Sequence, residues 1–269
     1  MTPKIHKLCF LIGFSMGLIA CSSESERFVR KADSEAIKQN SQLAKYLYGQ
    51  VIEKHKSKDD VRYRALRGLA EVSMSQLFDY RTALKAMETI FDEYKQVTAY
   101  ELDVRSLRLK AARIYRQNLD QPDKALDVLS QLMIAENQTL EESREIGHTY
   151  LALGDYEQAR AWYLKSWNAS LDRKNCDNLK SLQLDMMQVY SLRDMCDEVL
   201  QWSQVDFPEK CVPDEISVAI ERAHCFELSG EVTKALEIYE ELIKQQPKNA
   251  RAHFFLENLK RRQKEKQTK

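Results

Sequence analysis

The most reactive side chains in this 269-residue chain are its six cysteines, and four of them, Cys176, Cys196, Cys211 and Cys225, fall within one window of 50 residues. Thiols gathered in this way ligate a metal, carry redox chemistry, or cross-link the chain. The paired C-x-x-C spacing of a zinc site is absent and His148, His224 and His253 are isolated, so no metal and no cofactor is expected. Glu141-Glu142 and Glu240-Glu241 are adjacent carboxylates, but neighbours on a helix point about 100° apart and do not converge on a substrate. A glycine-rich phosphate loop, a G-x-S-x-G elbow and an H-E-x-x-H pair are all missing. With no set of acid, base and nucleophile, the chain is not read as an enzyme, and no small-molecule substrate is evident. The four cysteines remain as an even cluster that either bridges in an oxidising compartment or stays reduced and packs as small apolar groups.

The chain that must position these residues is rich in charge and poor in turn formers, with 30% charged residues against 7 glycines and 5 prolines. That composition suits an elongated helical domain better than a single globule. Its 41 basic and 41 acidic side chains cancel. Loss of Lys4 and Lys7 with the amino-terminal leader would leave a slight acidic excess, so nucleic acid is not an expected partner.

Helical spacing is clearest over Ile146–Ser166, IGHTYLALGDYEQARAWYLKS. Gly147, Tyr150, Gly154, Ala159, Tyr163 and Ser166 advance in steps of three and four, broken once at Gly154-Asp155. This predicts two short helices, the first closed by a left-handed glycine and the second capped by aspartate. Ala223, Phe226, Gly230, Ala235, Tyr239, Leu242 and Pro247 repeat the arrangement in Ile216–Pro247. The pattern resembles the tetratricopeptide repeat, a family built of antiparallel helix pairs every 34 residues. That resemblance implies an all-α, TPR-like solenoid of antiparallel helix pairs with a C-terminal capping helix.

Anchor alanines at Ala44, Ala83, Ala125, Ala159 and Ala235 are separated by 39, 42, 34 and 76 residues, so a poorly conforming unit is expected in the last gap, over 178–207. The first unit, from Phe28, is degenerate and can also be read as a single helix. Between Leu102 and Leu132 the spacing Tyr115–Ala125 exceeds Tyr150–Ala159 by one residue, which assigns an extra residue to the turn near Asp120. About six units result, and Ala252–Lys260 would cover the apolar face of the last.

At the amino terminus, Lys4 and Lys7 precede an apolar run of 13 residues, Leu8–Ala20. Such a run is short for a transmembrane helix of about 20 residues and suits a secretory signal core. Leu18-Ile19-Ala20-Cys21 resembles the lipobox of bacterial lipoproteins, which implies cleavage before Cys21 and lipidation of its thiol and new amino group. Several buried chains at about 0.8 kcal/mol per CH2 would make that anchor permanent. Ser22, where aspartate would retain the protein at the inner membrane, implies by resemblance to enterobacterial lipoproteins an outer-membrane address facing the periplasm. The expected organisation is a signal peptide over 1–20, lipidated cysteine and polar tether over 21–27, the helical repeat domain over 28–259, and a basic tail over 260–269 that frays. That tail either solubilises the end of the domain or touches an anionic surface.

Placed on repeats, the cysteines can be ranked. Cys176 and Cys211 each precede a first helix, at one edge of the stack; Cys196 opens a second helix and Cys225 closes a first, at the other edge. Helices about 20 Å long separate the edges, so Cys196 with Cys225 and Cys176 with Cys211 are the favoured bridges.

In the repeat family, first helices line a concave groove that binds a peptide or a partner helix. Arg113, Arg116, Arg144, His148 and His224 are expected to point into it, as a basic strip for an acidic segment or free carboxylate, or simply as solvated side chains. The strip lacks the asparagines of the family's carboxylate-clamp members, so their binding of chaperone tails is not carried over. The implied role is a lipid-anchored envelope adaptor that binds another protein, similar to assembly factors of outer-membrane barrels, secretins and type IV pili. An alternative is a docking regulator of a cell-wall hydrolase or synthase.

Overall fold

The structure, a computed structural model, describes residues 24–267; the leader and the lipobox cysteine Cys21 lie outside the described residues. The described chain is all-α, without strands, and forms two compact units divided between Leu119 and Asp120.

In the first unit, α1 (Glu24–Ile37) pairs with α2 (Ser41–Lys54), α3 (Asp60–Ser75) pairs with α4 (Tyr80–Glu93), and α5 (Glu101–Arg113) follows. Two features differ from expectation. Helix α1 begins at Glu24, inside the segment read as tether, where Glu24 and Glu26 favour the positive end of the helix dipole and Glu26 pairs with Arg64 of α3 at 3.0 Å. The extra residue assigned to the turn near Asp120 is absorbed earlier, by a π-helical turn over Ile114–Asn118 in which Leu119 N donates to Ile114 O at 3.1 Å.

The core of this unit joins Val29 and Ala32 to Ala44, Leu47, Tyr48 and Val51, with Ala65 and Val72 from α3. A buried arginine staples three elements together. Arg62 forks onto Glu93 at 2.7 and 2.9 Å while its remaining nitrogen donates to the carbonyls of Ile52 and His55, so all three guanidinium nitrogens are engaged.

In the second unit, α6 (Pro122–Met133) precedes three hairpins: α7 (Leu140–Ala152) with α8 (Tyr156–Asp172), α9 (Cys176–Ser191) with α10 (Cys196–Ser203), and α11 (Glu215–Leu228) with α12 (Val232–Gln245). Helix α13 (Ala250–Gln267) packs on α12 and buries Ala252 and Leu259 against the last pair. It runs on through most of the segment read as a frayed tail. Lys260 pairs with Glu240 and Arg262 with Glu227, contacts that hold this basic stretch against the helices beneath it.

A recurrent turn explains why these hairpins form. One residue in the left-handed region closes each first helix: Gln39, Phe78, Asp120, Gly154, Asp194 and Gly230, with φ between 52° and 79°. At Gly154 the following amide, Asp155 N, donates back to Tyr150 O at 3.0 Å, and Asp155 then caps α8 by accepting from Gln158 N at 3.1 Å. Asp194 fills this position in the poorly conforming unit over 178–207, and Gln39, Phe78 and Asp120 fill it in the other turns without glycine. All five anchor alanines are fully buried.

Candidate protein-binding groove

First helices of the second unit form a layer: α9 packs against both α7 and α11, and a cavity of about 400 Å³ opens over α9, α11 and α13. Leu184, Leu192, Ile220 and Phe255 supply its apolar surface, and Asp185, Glu221, His224 and Arg251 its charge and polarity.

Ion pairs running from one repeat to the next dominate the electrostatics. Arg144 of α7 donates to Asp185 of α9 at 2.6 and 3.2 Å. Arg251 of α13 donates to Glu221 of α11 at 3.1 Å. Asp185 also lies 3.8 Å from His148 Nε2, while the other ring nitrogen of His148 shares a 2.8 Å hydrogen bond with the buried Tyr163 hydroxyl. His224 lines the cavity, with Nδ1 3.3 Å from Ser191 Oγ.

These contacts revise the basic strip. Arg144 is largely neutralised by Asp185, an acidic partner 41 residues away that a reading of local spacing could not find. Arg113 and Arg116 fall in the first unit, at the end of α5 and in the π-helical turn, whereas Arg144, His148 and His224 belong to the second. What the second unit offers is a groove of mixed charge with an apolar floor.

The first unit is laced in the same manner. Arg64 of α3 reaches Glu26 and Asp33 of α1, Arg67 of α3 donates to Asp103 of α5 at 2.7 Å, and Lys110 of α5 reaches Glu71 of α3 at 3.0 Å. The Asp103 carboxylate holds the Arg67 guanidinium above its ordinary pKa. Burial, followed by the hydrogen bond to Asp103, pushes the Tyr63 phenol up as well, so both groups keep their protons.

The four clustered cysteines lie in the second unit as two disulfides, Cys176–Cys211 and Cys196–Cys225, with Cα atoms 5.1 and 5.4 Å apart. The first ties the start of α9 to the loop before α11, and the second ties the start of α10 to the end of α11. Among the described residues, no cluster of three or more side chains is arranged to hold a metal, and no helix is long and apolar enough to cross a membrane.

Comparison with known proteins bears on the fold. Residues 145–169 and 222–249 match the tetratricopeptide repeat. No curated protein matches the chain in sequence. Among solved structures, PilW, described as a widely conserved type IV pilus biogenesis factor, superposes with a TM-score of 0.57 at 11% identity, covering 88% of this chain and 100% of PilW. BtubC from P. vanneervenii superposes with a TM-score of 0.52 at 13% identity, covering 83% of this chain and 91% of its own. At such identities the likeness is one of fold. The chain therefore carries tetratricopeptide repeats, at 145–169 and 222–249, within an all-α architecture of antiparallel helix pairs closed by a final helix.

Proposed function

We propose that the protein is a non-catalytic scaffold of the bacterial cell envelope. It is lipid-anchored through Cys21 at the outer membrane, facing the periplasm, and it binds a segment of another envelope protein in outer-membrane, pilus or secretion assembly. The observation that carries this reading is the groove over α9, α11 and α13, where Phe255, Leu184 and Ile220 offer apolar contact between Asp185, His224 and Arg251. Such a surface suits a partner segment with aliphatic side chains flanked by polar groups of both signs. The anchor rests on Leu18-Ile19-Ala20-Cys21, and the pilus or secretion setting draws support from the fold shared with PilW.

The test is a photo-reactive amino acid placed at His224 in the anchored protein, with crosslinked partners identified from the envelope. A discrete envelope protein crosslinked at that position, and lost when Phe255 is changed to Ala, is expected. Failure to crosslink any protein at this face would remove the groove from consideration. If the partner is a cell-wall hydrolase or synthase, the scaffold docks that enzyme instead. Separately, Cys21→Ser is expected to release the protein from the membrane fraction, and a variant that stayed bound would remove the lipid anchor.

A further inference from the structure

Helix α10 is unusually short. It has 8 residues, where the other second helices of this unit's hairpins, α8 and α12, have 17 and 14. A cleft of about 810 Å³ opens beside Ser203, where α10 stops. Its floor is aliphatic, from Ile216 and Ala219 of α11 and Ile238 and Leu242 of α12.

The end of α10 and the chain after it are held away from filling this cleft. Trp202 and Phe207 stand edge-on to Trp167 of α8, with ring centroids 5.1 and 5.8 Å away. Gln183 of α9 donates to Trp202 O at 2.9 Å, and Cys211 is bonded to Cys176. At the lip, Val212 is left 61% exposed.

The polar lining is lopsided. Glu215, Glu237 and Glu241 are exposed around the cleft, and the cation facing them is Arg222, whose Nε is buried without a hydrogen-bond partner. Among the described residues, Glu241 pairs with surface neighbours on its own helix, Gln245 and Lys244. An aliphatic trough with a carboxylate rim complements a helix that is apolar on one face and basic at its flanks. An acceptor near the middle of that helix would satisfy Arg222.

We propose that this cleft is a second protein-binding surface, distinct from the groove over α9, α11 and α13, and that it takes a basic amphipathic helix from a partner protein in the place of the turns α10 lacks.

The test uses the protein purified with its disulfides intact and a fluorescein-labelled synthetic peptide of about 18 residues, leucine at i, i+3, i+4 and i+7 and lysine elsewhere, read by fluorescence anisotropy. Saturable one-to-one binding is expected. Glu237→Lys with Glu241→Lys should weaken it about tenfold, and a peptide with glutamate in place of lysine should bind at least about tenfold more weakly. Ala219→Trp, which fills the floor, should abolish binding. Because that variant could misfold, the double lysine variant, which changes only exposed side chains, keeps the proposal falsifiable. One central glutamate in the peptide should improve binding to the native protein and not to Arg222→Met. His224→Glu, in the other groove, should leave binding unchanged. No saturable binding, or equal affinity in the double lysine variant, would overturn the proposal without bearing on the groove at His224; loss of binding in His224→Glu would overturn it by placing the peptide in that other groove.

Discussion

Arg144 and Asp185 lie 41 residues apart and are joined by a forked ion pair, Nε to Oδ2 at 2.6 Å and Nη2 to Oδ1 at 3.2 Å. The pair links α7 to α9, successive first helices. Charged partners in both units recur at similar separations, 31, 36 and 39 residues in the first and 30 for Arg251 with Glu221 in the second. Opposite charges about one repeat apart thus hold neighbouring repeats in register within each unit.

Removing the acid from this pair should unbalance the groove. Asp185 is the more buried partner, its side chain 10% exposed against 30% for Arg144. Asp185→Asn is expected to lower stability by about 2 kcal/mol, the usual loss for a hydrogen bond to a charged group. It should also strengthen binding of acidic peptides by the second unit, because Arg144 is released. Urea denaturation and peptide titration on the same variant check both effects, and unchanged peptide affinity would show that Arg144 does not reach the groove.

Phe78 occupies a turn position that glycine occupies in two other hairpins. Its φ is +53° and its ring is 68% exposed, so it carries the left-handed conformation with little packing in return. Phe78→Gly should raise stability by about 0.5–1 kcal/mol, the relief of the left-handed penalty less the greater freedom of glycine in the unfolded chain. A lower melting temperature in the variant would mean that the side chain's packing and the entropy cost of glycine together outweigh the left-handed penalty.

Gly147 serves a different purpose, since its backbone is ordinary helix. A Cβ built there would lie 2.5 Å from Cε1 of Tyr163, a side chain that is fully buried. Gly147→Ala is expected to destabilise the second unit by about 1–3 kcal/mol through overpacking, against a helix-propensity gain of about 1 kcal/mol. Gly147→Ala combined with Tyr163→Phe should not recover the loss, because the clash is with ring carbons rather than the hydroxyl. Thermal denaturation of the three proteins distinguishes the cases.

The helix pairs were legible because packing writes locally. Ala159 with Tyr163 and Ala235 with Tyr239 are fully buried, and Gly154 and Gly230 take positive φ, so the spacing recorded both the buried face and the turn. Asp194 and Phe78 form the same turn with residues whose types do not announce it. The extra residue assigned to the turn near Asp120 is taken up a few residues earlier, in the π-helical turn at Ile114–Asn118, because an insertion changes spacing without marking where the helix widens. The groove was harder to read. Its electrostatics depend on which distant carboxylate meets each arginine, and the cleft beside α10 exists because a helix stops early.

Both disulfides lie in the second unit and close segments of 35 and 29 residues. Constraint of the unfolded chain on this scale is worth about 3–4 kcal/mol per bridge. Cys176→Ser with Cys211→Ser is therefore expected to lower the unfolding midpoint of the second unit and to leave the first unit's core unchanged. Hydrogen exchange resolved along the chain measures this: protection should fall at α9–α11 and hold at α2–α4. Uniform loss across both units would mean that they unfold together.

Acid should loosen the first unit through Asp79, which caps α4 by accepting from Thr82 N at 3.1 Å and pairs with Lys45 of α2 at 2.7 Å. The hydrogen bond from Lys45, then those from Thr82, hold its carboxyl down at about 2. An unfolded aspartate titrates near about 3.9, so the folded chain binds a proton less readily than the unfolded one. The stabilisation is therefore complete above about pH 4 and is lost as the pH falls through about 2. Asp79→Asn should be less stable than the native protein at neutral pH, show a flatter fall in stability over this window, and converge with the native protein at its acid end. Urea midpoints measured for both proteins across the window would refute the assignment if the two curves ran parallel, since the acid sensitivity would then come from other carboxylates.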